Sequence, residues 1–379
     1  MSTRRTVALA GCLAVAYLAW WPVEIQPESW EPPRNPGFSG PFQQNDALHR
    51  MDRLLDGFGP GPETITFGPD GWGYTGLRDG RIIRFPPDGS RFEEFANTHG
   101  SPGGMEFDSA GRLIVADATH GLLSVDTDGQ VTILASGHAG RKFLFLDDLD
   151  VGQDDLVWFS DFSTRYAEYN DHHEFLEGQA SGQLLTYDPR TRQTRVVLDG
   201  LRNPNGVALG PDEAFVLISE TIGYTVKKLW LKGPQAGEVE VIISELPAMP
   251  DNITFDGELF WMAALVERDP ILDWVHPRSP AFKRLLARLP LRWIPSPARD
   301  SKLSFVVAFD GHGTIVHNLQ DHTGRYGGTT SVVRHGGHLY LGSISESAVA
   351  RIDVPPRPSN FLSAEVAQKR FEMTGRQPL

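Results

Sequence analysis

Six segments of this chain begin alike, and a unit repeated six times can bury its apolar faces only by stacking its copies. The segments are Pro62-Glu63-Thr64-Ile65-Thr66-Phe67, Pro102-Gly103-Gly104-Met105-Glu106-Phe107 and Leu146-Asp147-Asp148-Leu149-Asp150-Val151. The other three are Pro204-Asn205-Gly206-Val207-Ala208-Leu209, Pro250-Asp251-Asn252-Ile253-Thr254-Phe255 and Thr329-Thr330-Ser331-Val332-Val333-Arg334. Each leads through a turn into a second apolar strand, such as LIVADA from Leu113, LVWFSD from Leu156 or AFVLISE from Ala214. The second residues of the six form a column, Glu63, Gly103, Asp147, Asn205, Asp251 and Thr330, spaced 40, 44, 58, 46 and 79 residues apart. A four-stranded propeller blade takes roughly 40–50 residues. The two long intervals therefore hold insertions, near Tyr166–Ala180 and Leu265–Ser301. The expected fold is all-β, a six-bladed β-propeller over residues 59–356, with the first strand of each blade lining a central channel.

That geometry brings the column residues together from six directions. Four of them offer oxygen ligands: Glu63, Asp147, Asn205 and Asp251. Three carboxylates converging in one channel must either be protonated or be neutralised by a cation. Mixed carboxylate and amide oxygens suit calcium, which takes 6–8 oxygens in irregular geometry, with waters completing the shell. Zinc would call for histidine or cysteine in the column, and magnesium for stricter geometry. The competing reading is that Asp and Asn are simply common turn residues. Four of them in one repeat register favour the metal site.

Charge and composition narrow the partners. The net charge is −13 with no basic run at the start of the folded region, which argues against nucleic acid. The one cysteine, Cys12, excludes an internal disulfide. Arg4 and Arg5 precede an apolar run from Val7 to Trp21, the pattern of an N-terminal membrane-anchor helix with the rest of the chain across the membrane. The run is short of an ideal span, and a cleaved signal peptide or a lipoprotein site at Leu9-Ala10-Gly11-Cys12 are its rivals. Every alternative makes the propeller extracytoplasmic, whether periplasmic, lumenal or extracellular. The expected organisation is an anchor at 1–21, a Pro-rich stalk and short helix at 22–58, the propeller at 59–356 and a tail at 357–379. The helix is expected over Asn45 to Phe58, from its apolar spacing.

The chain resembles the strictosidine synthase-like and adipocyte plasma membrane-associated proteins, within the wider group of gluconolactonases, regucalcin and paraoxonases. The stretches that carry the resemblance include GPETITF, LIVADATHGLL, FLDDLDV, GQLLTYDPRTRQTRVVLDGL, NPNGVALGPDEAFVLISET, LPAMPDNITF and GGHLYLGS, in that order from Gly61 to about Pro355. The resemblance implies a six-bladed propeller with calcium held by Glu63, Asn205 and Asp251. Relatives usually carry Asn where Asp147 stands, so this chain adds a negative charge there. In hydrolytic relatives the cation polarises an ester or lactone carbonyl while an acidic residue activates water. Asp251 is the first candidate for that base and Asp147 the second. The condensing enzymes of the group use a glutamate in blade six, whereas Thr329 to Gly337 holds no carboxylate.

The expected activity is thus calcium-dependent hydrolysis of a small-molecule ester or lactone near a membrane. The alternative is a non-catalytic, membrane-tethered binding propeller with structural calcium, and a condensing enzyme is the distant third. His120, in the turn after LIVADA, and Asp161 with Ser163, Arg165 and Tyr166, at the start of the first insertion, are expected to line the substrate pocket. The second insertion, basic and amphipathic around Phe282–Leu289, is expected to be a lid, a membrane contact or an ordinary packed helix.

Overall fold

The computed structural model describes Tyr17 and residues 21–168, 171–289 and 301–357. Six antiparallel four-stranded sheets make six blades. Blade one is Ile65–Phe67, Gly73–Gly76, Arg81–Phe85 and Glu93–Asn97; blade two is Pro102–Phe107, Leu113–Asp117, Gly121–Val125 and Val131–Ala135. Blade three is Leu146–Val151, Val157–Asp161, Gly182–Asp188 and Gln193–Leu201; blade four is Pro204–Leu209, Phe215–Glu220, Thr225–Trp230 and Val239–Ile243. Blade five is Ala248–Phe255, Phe260–Glu267, Ser304–Phe309 and Ile315–Asp321. The first strands pack side by side all round the ring, the sixth against the first.

Burial explains the strand patterns. The second strands of blades two, three and four are buried along their whole length, because a neighbouring blade covers each face. Hence they read as continuous apolar runs rather than alternating ones. Fourth strands sit on the rim, and the residues of Glu93–Asn97, Val131–Ala135 and Val239–Ile243 are mostly exposed or half-buried.

Blade six consists of Thr329–His335, His338–Ser343 and Val349–Asp353 plus a strand from the other end of the chain, Asp52–Leu54. Asp52 pairs with Arg351, Arg53 with Ala350 and Leu54 with Val349. The ring is thus closed by N-terminal residues, and the propeller begins before residue 59. The helix expected over Asn45 to Phe58 is a turn followed by this strand. Its apolar residues are helically spaced but bury separately: Leu48 and Met51 enter one inter-blade cluster, Leu54 and Phe58 another.

The Pro-rich segment is a strap rather than a stalk. Glu28 N–H donates to the Glu177 carbonyl at 3.0 Å and Trp30 N–H to that of His276 at 3.2 Å. Arg268 Nη2 donates to the Pro33 carbonyl at 2.8 Å, and the buried Lys283 Nζ to those of Glu28 (2.5 Å) and Glu177 (3.2 Å). Prolines cannot supply N–H groups for a ladder, so the segment stays extended and its carbonyls are taken by side-chain cations. Beneath it lie three short helices from the two insertions: α1 (Asp171–Glu177), α2 (Pro270–Val275) and α3 (Pro280–Leu286). Ile25 of the strap, Leu176 of α1, Val275 of α2 and Ala287 just after α3 form one apolar cluster.

Among the described residues no helix is long and apolar enough to cross a membrane. Apart from Tyr17 and Trp21, the expected anchor lies outside those residues, as does the tail beyond Arg357.

Candidate active site in the channel

The column residues sit where the first strands break register. The ladder slips between Pro102 and Met105, Leu146 and Leu149, Pro204 and Val207, Pro250 and Ile253, and Thr329 and Ser331. Gly103, Asp147, Asn205, Asp251 and Thr330 lie within these irregularities, which aim their groups at the axis instead of at a partner strand. Serines from the second strands fix the irregularities. Ser160 Oγ accepts from Asp148 N–H at 3.0 Å and donates to the Asn205 carbonyl of the next blade at 2.7 Å. Ser219 repeats the bridge one blade on, accepting from Gly206 N–H and donating to the Asp251 carbonyl, both at 2.7 Å. Gly103 is the small member of the column because a Cβ there would stand 2.7 Å from the Asp147 carbonyl oxygen.

Glu63, Asp147, Asn205, Asp251 and Thr330 together line one cavity of about 390 Å³ at the mouth of the channel. Phe145, Phe162, Phe175, Leu265 and Ile344 give it apolar walls, and Arg78, Tyr166, Glu168 and Glu174 add polar groups. Glu174 and Phe175 come from α1, so the first insertion roofs the cavity. Asp147, Asn205 and Asp251 are all buried. Asn205 Nδ2 donates to Asp147 Oδ2 at 3.3 Å, and Asn252 N–H to Asp251 Oδ1 at 3.1 Å. Burial, then the neighbouring Glu168 carboxylate, pushes Glu63 up to about 8. Asp147 is raised well above the usual carboxylate range by burial and then by Glu63 and Asp251. Asp251 is raised by burial and then by Glu63. These acids are thus crowded, desolvated and short of positive charge.

Two buried oxygens facing this cavity, Asp147 Oδ1 and Asn205 Oδ1, have no hydrogen-bond partner. A buried acceptor without a donor costs free energy, and a cation satisfies it. The donor set, all oxygen from four blades, fits a hard divalent ion. Among the described residues no three Asp, Glu, His or Cys side chains close around an ion by themselves. The Asn205 amide and waters would have to complete such a shell.

Of the residues expected to line the pocket, Ser163 and Tyr166 do so, whereas His120, Asp161 and Arg165 do not. His120 stands on the turn after the second strand of blade two, its ring nitrogen 3.3 Å from the His99 carbonyl. Asp161 is buried against Arg141 at 3.1 Å, and Arg165 pairs with Glu177 at 2.9 Å. Asp161 occupies the repeat position of Asp117 and Glu220. Asp117 accepts from the backbone of Thr119 and His120, and Glu220 from that of Arg202. Acids at this position tie down blade-top turns and do not reach the axis. The sequence reading missed Phe145, Phe162, Phe175 and Glu168. Only the length of the first insertion hinted that something would cover the channel.

Comparison with known proteins agrees with this architecture. The family model for strictosidine synthase matches residues 147–234, and that for the strictosidine synthase-like N-terminal region matches residues 40–85. Strictosidine synthase-like protein 13 of Arabidopsis thaliana is 32% identical over 327 residues, 78% of each chain. The adipocyte plasma membrane-associated protein of Danio rerio is 33% identical over 359 residues, 87% of this chain and 84% of its own. In fold, the chain is similar to a gluconolactonase of Xanthomonas campestris (TM-score 0.58, 17% identity, 89% of this chain and 99% of that one). It is likewise similar to a calcium-binding regucalcin of Agrobacterium tumefaciens (TM-score 0.56, 14% identity, 79% and 92%).

Proposed function

We propose a function from the premise that this chain belongs to the strictosidine synthase-like family: it is a divalent-cation-dependent hydrolase of esters or lactones, calcium being the ion of choice. The observation that carries this reading is the pair of partnerless buried oxygens, Asp147 Oδ1 and Asn205 Oδ1, beside two further column acids in an apolar-walled cavity. Glu63, Asp147, Asn205 and Asp251 would hold the ion. When bound, it would polarise a carbonyl oxygen and stabilise the developing oxyanion.

The chain's own residues supply the rest. Phe145, Phe162, Phe175 and Leu265 seat a small, largely apolar substrate and keep bulk water out. Asp251 is the candidate that takes the proton from the attacking water, with Asp147 second; a desolvated carboxylate is a stronger base than an exposed one. The lack of an acid at Thr329–Gly337 favours hydrolysis over condensation: Thr330 Oγ1 there donates to the Glu63 carbonyl at 2.7 Å. On this reading the apolar run at Val7–Trp21 tethers the enzyme to a membrane with the propeller extracytoplasmic, as suits a chain similar to adipocyte plasma membrane-associated proteins.

Full-length protein is expected to hydrolyse members of an aryl-ester and lactone panel, to stop on chelation and to resume on adding calcium. Asp251→Asn should lower kcat by roughly 100-fold or more, the worth of a general base. No turnover on a broad panel with calcium present would refute the hydrolase. If Asp251→Asn then still lowered the calcium-dependent melting temperature, the binding-protein reading would replace it.

A further inference from the structure

We propose that the face built by α2 and α3 is a membrane-docking surface that lies on the headgroup region of a bilayer carrying anionic lipid. The inference goes beyond the hydrolase reading and does not rest on it. Both helices are two-faced. Leu272 and Val275 of α2 point inward, as do Lys283 and, just past the end of α3, Ala287. Outward stand Ile271, 53% exposed, Trp274 at 50% and Leu285 at 40%. The two outward faces are continuous, for the Trp274 ring contacts that of Phe282 edge-on at 5.5 Å. Large apolar side chains are rarely left in water as a group without a partner.

Two independent observations identify a lipid surface as that partner. The first is charge. Apart from the buried Lys283, the chain from Trp274 to Leu289 carries Arg278, Arg284 and Arg288 and no Asp or Glu, and the one acid of α2, Asp273, is paired with Arg268 at 2.8 Å, in a protein whose net charge is −13. Arg278 lies over the Trp274 ring at 4.5 Å, and Arg284 is exposed. An exposed tryptophan with an arginine over its ring, beside further basic residues, is the chemistry that settles at an anionic headgroup layer. The second is where the N-terminal apolar run ends. Its last residue, Trp21, is 56% exposed, and its carbonyl accepts from Arg288 Nε at 2.7 Å. Whatever membrane takes up Val7–Trp21 therefore begins at the end of α3.

The arrangement has a consequence for the cavity. Lys283 of α3 is bonded to the last carbonyl of α1, and α1 supplies Glu174 and Phe175 to the cavity wall. The channel mouth thus lies one helix beneath the docking face, and amphiphilic substrates could be drawn from the lipid surface.

The test uses the full-length chain reconstituted into vesicles. Cys12→Ser removes the one cysteine, and Leu285→Cys takes an environment-sensitive fluorophore. Asp128→Cys, in the turn between the third and fourth strands of blade two, takes the same label at the opposite end of the blades. Vesicles are phosphatidylcholine, alone or with a third phosphatidylglycerol, each with and without spin-labelled lipid. The label at 285 should emit at shorter wavelength and be quenched by spin-labelled lipid, more so with phosphatidylglycerol, while that at 128 stays in water. Arg284→Glu should cancel the phosphatidylglycerol effect without changing the melting temperature. Water-like emission at 285 in both lipids would overturn the proposal. So would a shift without lipid quenching that grows with protein density, which would assign the patch to a second copy of the chain. Quenching indifferent to phosphatidylglycerol would overturn the anionic-lipid preference.

Discussion

Asp147 and Asp148 are neighbours in sequence and serve opposite mouths of the channel. Asp147 lines the cavity under α1, whereas Asp148 lines a second cavity at the far end with Glu106 and Asp150. The far-end acids are clasps between blades: Asp148 accepts from Val207 N–H at 3.0 Å and Asp150 from Leu209 N–H at 2.7 Å. Glu106 accepts from Thr66 Oγ1 at 3.2 Å, and burial, then Asp150, pushes it up to about 7. An unfolded glutamate ionises near 4.5, so the folded chain holds one more proton than the unfolded chain between those values. The stabilisation present below pH 4.5 is therefore lost as pH rises through about 7. Thermal melts should show the melting temperature falling across that window, and Glu106→Gln should flatten the fall. An unchanged slope in the variant would assign the effect to other groups.

Elements in this fold are held less by propensity than by what caps their free backbone groups. The strap of residues 22–41 makes no sheet, yet Lys283 fixes it to α1 through two carbonyls, and burial pushes the lysine amine down to about 8. Lys283→Ala would orphan the Glu28 carbonyl, leave that of Glu177 with the Glu28 N–H alone and open a void, a loss of about 2–4 kcal/mol by the measure of buried truncations. Denaturant titration reads that loss, and limited proteolysis should cut first within the strap. A variant as stable as the parent would mean that water replaces the lysine. The serines of blades three and four show the same logic within the propeller: Ser160 and Ser219 each join the irregularity of their own blade to the column carbonyl of the next.

For the whole molecule, the decisive contact is the closure of the ring. Blade six takes its rim strand from Asp52–Leu54. Arg53 reinforces it, reaching Glu346 at 2.9 Å and the Arg325 carbonyl at 2.9 Å. Leu48, Met51, Leu54 and Phe58 fill the seams beside it. A chain starting at Gly59 should leave those seams and the edge of Val349–Asp353 open, and lose its single cooperative thermal transition. One starting at Pro22 keeps the closing strand and should melt sharply. A sharp transition in the shorter chain would show that five blades and a partial sixth hold the ring unaided.

What the sequence settled by itself is the number of blades and the register of the channel-facing column. Both are local: each blade repeats the same apolar strand after the same turn, so spacing alone aligns Glu63, Asp147, Asn205 and Asp251. Only the tertiary structure decided which polar residues near the channel mouth face the cavity. His120, Asp161 and Arg165 have the chemistry of pocket residues, but His99, Arg141 and Glu177 claim them from 21, 20 and 12 residues away. The same holds for the residues at 45–58, whose spacing fits a helix until the open edge of blade six supplies backbone partners. Spacing encodes which face of an element is apolar; it does not encode which distant donor or edge is left free to meet it.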